Sequence, residues 1–173
     1  MHARAAPALL LAAACTTVDA LPDKQIGEAA LTTVEGLPAG NVLLVRSDTT
    51  LSLAVAVTGL PPGEHGFHLH TTGSCTAPDF ASAGGHLNPA ARHHGSLAEG
   101  GRHLGDLPNL VVASNRTGSL EADLVGDAQA LLPQIFDADG TAVVIHAGPD
   151  DYRSDPAGNA GARIACGILR RAR

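Results

Sequence analysis

The stretch Leu51-Ser52-Leu53-Ala54-Val55-Ala56-Val57 carries its larger apolar residues at every second position. Successive side chains of a β-strand point to opposite faces of a sheet, so this period predicts a strand with one buried face. The preceding residues 41–45 are predicted to pair with it as a hairpin, and Gly59-Leu60-Pro61-Pro62-Gly63 breaks the strand at its far end. The hairpin therefore predicts a β-sheet.

Further short strands are predicted at residues 67–70, 110–113, 120–124, 141–146 and 163–169. Turn signals separate some of them, at residues 115–118 and 137–140. The composition agrees, because aromatic residues make up only 2% of the chain and there are 20 Gly and 11 Pro residues. Short strands joined by many turns fit these numbers better than long helices, so the fold class is predicted as all-β with minimal helix.

Two stretches lack any periodicity: residues 71–109, named here the first long loop, and residues 147–162, the second long loop. In a compact domain, loops of this length are usually functional. No internal repeat divides the chain, and residues 31–173 are predicted to form a single domain.

The N-terminal segment has the features of an export signal. Arg4 precedes an apolar tract at residues 5–14 that is too short to span a bilayer as a helix, so residues 1–15 are predicted to be a signal peptide. Residues 11–15 are similar to a bacterial lipoprotein cleavage site, which would leave Cys15 lipidated and the protein anchored to the membrane. Ordinary cleavage, leaving a soluble protein, is the alternative. Residues 16–30 are polar and aperiodic and are predicted to be a flexible tether.

Charge and cysteine content limit the partners and the compartment. The formal net charge is −6, and no predicted element carries a cluster of Lys and Arg, which argues against a nucleic-acid partner. With Cys15 in the leader, Cys75 and Cys166 remain, and they can pair in an oxidising compartment or stay as two buried thiols. The sequence leaves the oligomeric state open, a homodimer included.

One pair of histidines lies in a predicted strand. His68 and His70 are two residues apart, so both side chains can project from the same face toward one point. Such a pair alone is more often two solvated surface side chains than a metal site.

A second group of histidines lies in the first long loop, where His86, His94 and His103 are followed by Asp106. Three imidazole nitrogens and one carboxylate oxygen form a tetrahedral zinc site. A loop with few apolar residues also needs something like a metal to order it. The loop is therefore predicted to bind zinc.

These residues lie within longer motifs. The motifs are Gly66-Phe67-His68-Leu69-His70, Gly84-Gly85-His86-Leu87-Asn88-Pro89, His94-Gly95, His103-Leu104-Gly105-Asp106-Leu107-Pro108-Asn109, Val144-Ile145-His146 and Gly158-Asn159-Ala160-Gly161-Ala162-Arg163-Ile164-Ala165-Cys166-Gly167. In order and spacing they resemble the copper/zinc superoxide dismutase family, in its exported bacterial form, over nearly everything from residue 31 to the C-terminus. Accidental agreement across so many separated motifs is implausible.

The resemblance implies a Greek-key β-sandwich, or flattened eight-stranded antiparallel barrel, with the metal site outside the barrel under the two long loops. The implied copper ligands are His68, His70, His86 and His146. The implied zinc ligands are His86, His94, His103 and Asp106. His86 would then bridge the two metals.

Further roles follow from the same resemblance. Asp150 would accept hydrogen bonds from His68 and His94, although a loop-capping aspartate is the alternative. Cys75 and Cys166 would form a disulfide. Arg163 would line the mouth of the copper channel, with an ordinary surface arginine as the alternative.

The remaining histidines have no implied metal role. His2 lies in the leader, and His93 is predicted to be solvated, although slack in the loop would let it replace His94. His65 precedes the ligand strand and is predicted to make a structural hydrogen bond.

The implied reaction is the dismutation of superoxide to oxygen and hydrogen peroxide. Copper would exchange the electron, His86 would supply a proton, and Arg163 would attract the anion. An enzyme in the periplasm or cell envelope would protect that envelope from extracytoplasmic superoxide. Two other classes stay open: a copper or zinc carrier without turnover, and a disulfide-stapled structural β-domain with incidental histidines.

Overall fold

The computed structural model describes residues 24–173. This part of the chain contains nine strands and one α-helix. In order they are β1 (Lys24–Thr33), β2 (Pro38–Ser47), β3 (Thr50–Thr58), β4 (Gly63–His65), β5 (Phe67–His70), β6 (Leu110–Val112), β7 (Thr117–Asp123), α1 (Ala128–Ile135), β8 (Thr141–His146) and β9 (Arg163–Arg171). The predicted signal peptide with Cys15, and residues 16–23 of the predicted tether, lie outside the described residues.

Seven strands form one antiparallel sheet in the order β5-β8-β9-β1-β2-β3-β7, and β4 pairs with β6 in a second sheet. β4 runs almost directly into β5, and a turn joins β6 to β7, in which Ala113 N–H donates to the Thr117 carbonyl at 2.9 Å. The small sheet therefore lies between the two edge strands of the large one, which curls into a flattened barrel. The predicted all-β fold is confirmed, with nine strands in place of eight.

The hairpin predicted from residues 41–57 is the β2–β3 pair, in which Val42 lies opposite Val55. The alternate apolar residues of β3 point into the barrel, where each is at most 5% exposed. Burial of such side chains stabilises the fold by about 1.5–3 kcal/mol each. The alternating pattern thus fixes which face of the hairpin forms the core.

The predicted tether is wrong for residues 24–30, because they belong to β1. This strand pairs with β2 on one side and with β9 on the other. Its inward residues include Gly27 and Ala29, which are too small to produce a visible apolar alternation. Gly27 must be small, since a Cβ there would lie 2.9 Å from the Phe136 ring.

The helix α1 lies in the connection between β7 and β8, and it agrees with the prediction of minimal helix. Asp127 caps it by accepting the Gln129 N–H at 2.9 Å. Ala128, Leu131 and Ile135 form its buried face against the barrel. Within residues 24–173, no helix combines the length and apolar character needed to cross a membrane.

Candidate metal centre

β5 and β8 present three histidines on the outer side of the barrel. Phe67 and Leu69 of β5 are fully buried in the barrel core. Because alternate residues of a strand face opposite ways, His68 and His70 point outward, and His146 at the end of β8 lies beside them. The three are at most 4% exposed, so this outer side is covered by loops rather than by solvent.

The first long loop covers the free edge of β5 by pairing with its backbone. Leu69 N–H donates to the Gly105 carbonyl at 3.0 Å, and Leu87 N–H donates to the Leu69 carbonyl at 2.8 Å. A Cβ at Gly105 would overlap the Leu69 carbonyl oxygen, so only glycine permits this approach. The pairing places His86 and Asp106 directly beside the histidines of β5.

The structure brings the seven predicted ligand residues together in two neighbouring sets, each with one ligand atom per residue and all ligand atoms within 4.8 Å of one another. The histidine set consists of His68, His70, His86 and His146. The aspartate set consists of His86, His94, His103 and Asp106. His86 belongs to both sets, and its ring centroid lies 4.0 Å from that of His68.

In the histidine set, each ring has one buried nitrogen without a hydrogen-bond partner: Nδ1 of His68 and Nε2 of His70, His86 and His146. The opposite nitrogen of two rings faces a carbonyl, since His70 Nδ1 lies 2.9 Å from Gly84 O and His146 Nδ1 lies 3.1 Å from Gly161 O. A carbonyl only accepts, so these Nδ1 atoms carry the proton and Nε2 carries the lone pair. Buried lone pairs without a donor fit a cation that accepts imidazole ligands, such as copper.

The aspartate set crowds three nitrogens around one oxygen. The Nδ1 atoms of His86, His94 and His103 lie 2.8, 3.0 and 3.1 Å from Asp106 Oδ1. The other carboxylate oxygen, Oδ2, is held by the backbone N–H groups of Gly95 and His103 at 2.8 and 3.0 Å. His94 Nδ1 makes no aligned hydrogen bond, although it lies only 3.0 Å from Asp106 Oδ1. Three imidazoles and one carboxylate are the donor set of a tetrahedral zinc site.

Asp150 of the second long loop connects the two sets. Its Oδ2 lies 2.7 Å from His68 Nε2, and its Oδ1 lies 3.0 Å from His94 Nε2. A carboxylate accepts hydrogen bonds, so both Nε2 atoms carry protons and both Nδ1 atoms point their lone pairs into the sets. Asp150 is 3% exposed, which strengthens these contacts.

Burial sets the protonation of the centre. Desolvation lowers the pKa of His70 to about 2, of His146 to about 3 and of His86 to about 4. Burial alone would raise the pKa of Asp106, but the hydrogen bonds from His86 and from the Gly95 N–H outweigh it and lower this pKa to about 2. At neutral pH His70, His86 and His146 are therefore uncharged and Asp106 is ionised, which is the state in which these side chains bind metal.

Arg163 lies at the start of β9 and is partly buried. Its guanidinium donates to the carbonyl oxygens of Phe80 and Gly84, both at 2.6 Å. The Gly84 carbonyl is also the acceptor for His70 Nδ1, so the cation lies close to the histidine set. No carboxylate among the described residues forms an ion pair with Arg163.

The disulfide between Cys75 and Cys166 is confirmed. It joins the first long loop to β9 and lies in a small apolar cluster with Phe80 and Val144 on the outer face of the sheet. The disulfide thereby attaches to the barrel the segment that contains Gly84, whose carbonyl accepts a hydrogen bond from Arg163.

The two other histidines of the described chain behave as predicted. His65 is buried, and its ring nitrogens lie 2.8 Å from the His146 carbonyl oxygen and 2.9 Å from the Pro61 carbonyl oxygen, so it makes the predicted structural hydrogen bond. His93 is solvated, with 73% of its side chain exposed and Nδ1 2.7 Å from Asp155.

Sequence reasoning missed the residues that hold ligands through the backbone or from another loop. Asp155 accepts the backbone N–H of His94 at 2.5 Å, from 61 positions away. Asn109 and Tyr152 contact Asp150 and were given no role, although Asn109 ends one of the motifs. No spacing rule connects residues in two different loops, so the sequence carries no signal for these contacts.

A curled antiparallel barrel that carries two adjoining sets of buried imidazoles, with His86 in both, defines a β-barrel protein with a dinuclear metal centre. The chain matches the model of the copper/zinc superoxide dismutase family over residues 38–169. It belongs to that family.

Individual relatives agree with this result. The protein named Superoxide dismutase (Cu-Zn) 2 from Aquifex aeolicus is 42% identical over 147 residues, which are 82% of this chain and 85% of the relative. The crystal structure of a SOD-like protein from Bacillus subtilis, 38% identical, has a TM-score of 0.74 and covers 83% of this chain and 97% of its own. The Cu/Zn superoxide dismutase from Brucella abortus is 27% identical and has a TM-score of 0.65. The match covers 86% of this chain and 100% of the Brucella chain.

Proposed function

We propose that this protein dismutates superoxide to oxygen and hydrogen peroxide at a copper and zinc pair bridged by His86. One observation carries the proposal: the His86 ring has Nδ1 in the aspartate set and the unpartnered Nε2 in the histidine set. An imidazole shared in this way couples a redox-active ion to an inert one.

The donor atoms support a division of the two metals between the sets. The copper ligands would be His68 Nδ1 together with His70, His86 and His146 through Nε2, all of them neutral imidazole nitrogens. The zinc ligands would be the Nδ1 atoms of His86, His94 and His103 together with Asp106 Oδ1. Asp150 would hold one ligand of each metal in the required tautomer.

When bound, copper would supply one-electron exchange with superoxide, and zinc would supply the fixed charge that favours a deprotonated His86. His86 Nε2 is the protein atom that takes up a proton and passes it to the departing peroxide, while water supplies the second proton. Arg163 places an unpaired cation beside the histidine set, where it attracts the superoxide anion into the site. The residues Ala147-Gly148-Pro149 after His146 add no charge, so this attraction depends mainly on Arg163.

We further propose that the protein works in the periplasm or cell envelope and protects it from superoxide formed outside the cytoplasm. The Cys75–Cys166 disulfide supports an oxidising compartment. The apolar tract at residues 5–14 supports export, and Cys15 is the candidate site of lipidation. Mass spectrometry of the mature N-terminus tests the anchor, because a lipidated Cys15 adds the mass of its acyl chains.

The activity is tested by loading purified protein with copper and zinc and measuring the decay of superoxide. We expect a fast catalysed decay that is lost in His146→Ala, which removes one copper ligand. His93→Ala is the matched control, because it truncates an exposed histidine outside both sets. A protein that binds both metals but leaves the decay at the buffer rate would be a metal carrier. A protein that binds neither metal stoichiometrically would be a structural domain.

A further inference from the structure

The position of Asp150 matters to both sets, since its two oxygens contact His68 and His94. The backbone of Asp150 is held by the side-chain amide of Asn109, which follows the last aspartate-set ligand in the first long loop. Asn109 Nδ2 donates to the Asp150 carbonyl at 3.0 Å, and Asp150 N–H donates to Asn109 Oδ1 at 2.9 Å. Two antiparallel hydrogen bonds to one residue fix its orientation as well as its position.

Tyr152 completes the contact from the other side. Its backbone N–H donates to Asp150 Oδ1 at 2.6 Å, and its hydroxyl oxygen accepts the Asn109 backbone N–H at 2.8 Å. The Tyr152 carbonyl also accepts the Leu97 N–H, so the residue is tied to the first long loop as well. Asn109, Asp150 and Tyr152 thus form a closed network that spans both long loops, named here the Asn109 clamp.

We propose that Asn109 and Tyr152 are positioning residues that set the metal affinity of the centre by holding Asp150 in place. Neither residue contributes a ligand atom to either set. They act through Asp150, whose carboxylate directs the lone pairs of His68 and His94 into the sets. The inference rests on the metal assignment proposed above.

A purely structural role is the competing explanation, because the clamp also joins two loops. The two roles differ in how they depend on Asp150. If Asn109 acts by positioning Asp150, replacing Asn109 has no further effect on metal affinity once the Asp150 carboxylate has been removed. If Asn109 only joins the two loops, replacing it still lowers metal affinity in that background. A double-mutant cycle separates them.

The experiment measures the zinc affinity of metal-free protein by competition with a chromophoric chelator, for the wild type, Asn109→Ala, Tyr152→Phe and Asp150→Ala. We expect Asn109→Ala to weaken zinc binding about tenfold, the lower end for residues that orient ligands, and Tyr152→Phe to weaken it less. Asn115→Ala is the matched control: it also removes an amide that makes two hydrogen bonds, but in the exposed turn between β6 and β7. The control should bind zinc as the wild type does.

In the Asp150→Ala background, adding Asn109→Ala should change the zinc affinity by less than roughly twofold. A further tenfold loss there would overturn the proposal, as would wild-type affinity in the single Asn109→Ala variant. Thermal unfolding of the metal-free variants shows that each has folded. A wild-type protein that binds no zinc would instead refute the metal assignment, so the two failures are distinguishable.

Discussion

Replacing Gly158 with alanine should damage the metal centre without replacing any of the proposed metal ligands. Gly158 has a φ of +63° in the second long loop, and a Cβ there would overlap Asp150 Oδ1 and lie 2.6 Å from His94 Nε2. To restore an ordinary contact of 3.4 Å, His94 must retreat by about 0.8 Å. Its hydrogen bond to Asp150 is already 3.0 Å long, and about 0.5 Å more takes it beyond hydrogen-bonding distance.

The expected result is a zinc affinity reduced by about 10–100-fold, or about 1.4–2.8 kcal/mol, as for other residues that orient metal ligands. Gly36→Ala is the matched control, because Gly36 has a φ of +78° and nothing within 4 Å of a Cβ. Both variants carry the backbone strain of alanine in the left-handed region, about 1 kcal/mol. Only one of them disturbs the contact between Asp150 and His94.

Competition titration of the metal-free proteins with a zinc chelator measures the difference, and urea unfolding of the same samples measures the shared strain. Equal zinc affinities for Gly158→Ala and Gly36→Ala would refute the reasoning, because the overlap would then have been relieved without cost to the site.

Three further predictions concern the disulfide, the pH dependence of stability and Arg163. Replacing Cys75 and Cys166 with serine should lower the free energy of unfolding by about 4–5 kcal/mol, because the bridge restricts the unfolded chain by closing a loop between cysteines 91 positions apart. A guanidinium midpoint equal to that of the wild type would contradict this prediction. Metal-free protein should be stable above pH 7 and lose stability as the pH falls from about 7 to about 4, because the unfolded chain then binds protons that the native state does not bind. The loss should reach up to about 1.4 kcal/mol per pH unit for each of His70, His146 and His86, whose pKa values are lowered to about 2, 3 and 4. Thermal midpoints that stay constant over this pH range would contradict the prediction. Arg163→Ala should slow the reaction with superoxide roughly tenfold and flatten its dependence on ionic strength, with Arg163→Lys in between; an unchanged salt dependence would show that the cation does not steer the substrate.

The fold could be predicted where the apolar residues of a strand form a visible pattern, either an alternation or a continuous run. The β2–β3 hairpin has the alternation, and β8 is a continuous apolar run because it is buried on both faces. β1 has neither signal, since two of its three buried inward residues are the small Gly27 and Ala29. Its identity as a strand depends on the neighbours β2 and β9, which local sequence does not contain.

The candidate site, too, could be predicted only in part from the sequence. Residue types and spacing predicted a zinc loop, and the resemblance to a known family supplied the remaining ligand roles. The contacts that orient the ligands join distant positions, such as Asp150 with Asn109 across 41 residues. These pairings follow from how the two long loops pack on the barrel, so only the folded structure contains them.

The pairing of the first long loop with the edge of β5 has a consequence for solubility. An uncovered strand edge offers its free N–H and C=O groups to other chains, and it is a common starting point for aggregation. Here the cover is a segment that carries His86, Gly105 and Asp106, so a metal bound by His86 and Asp106 would also help to keep the edge closed. Chains that have not yet bound metal would thus be the population most exposed to self-association.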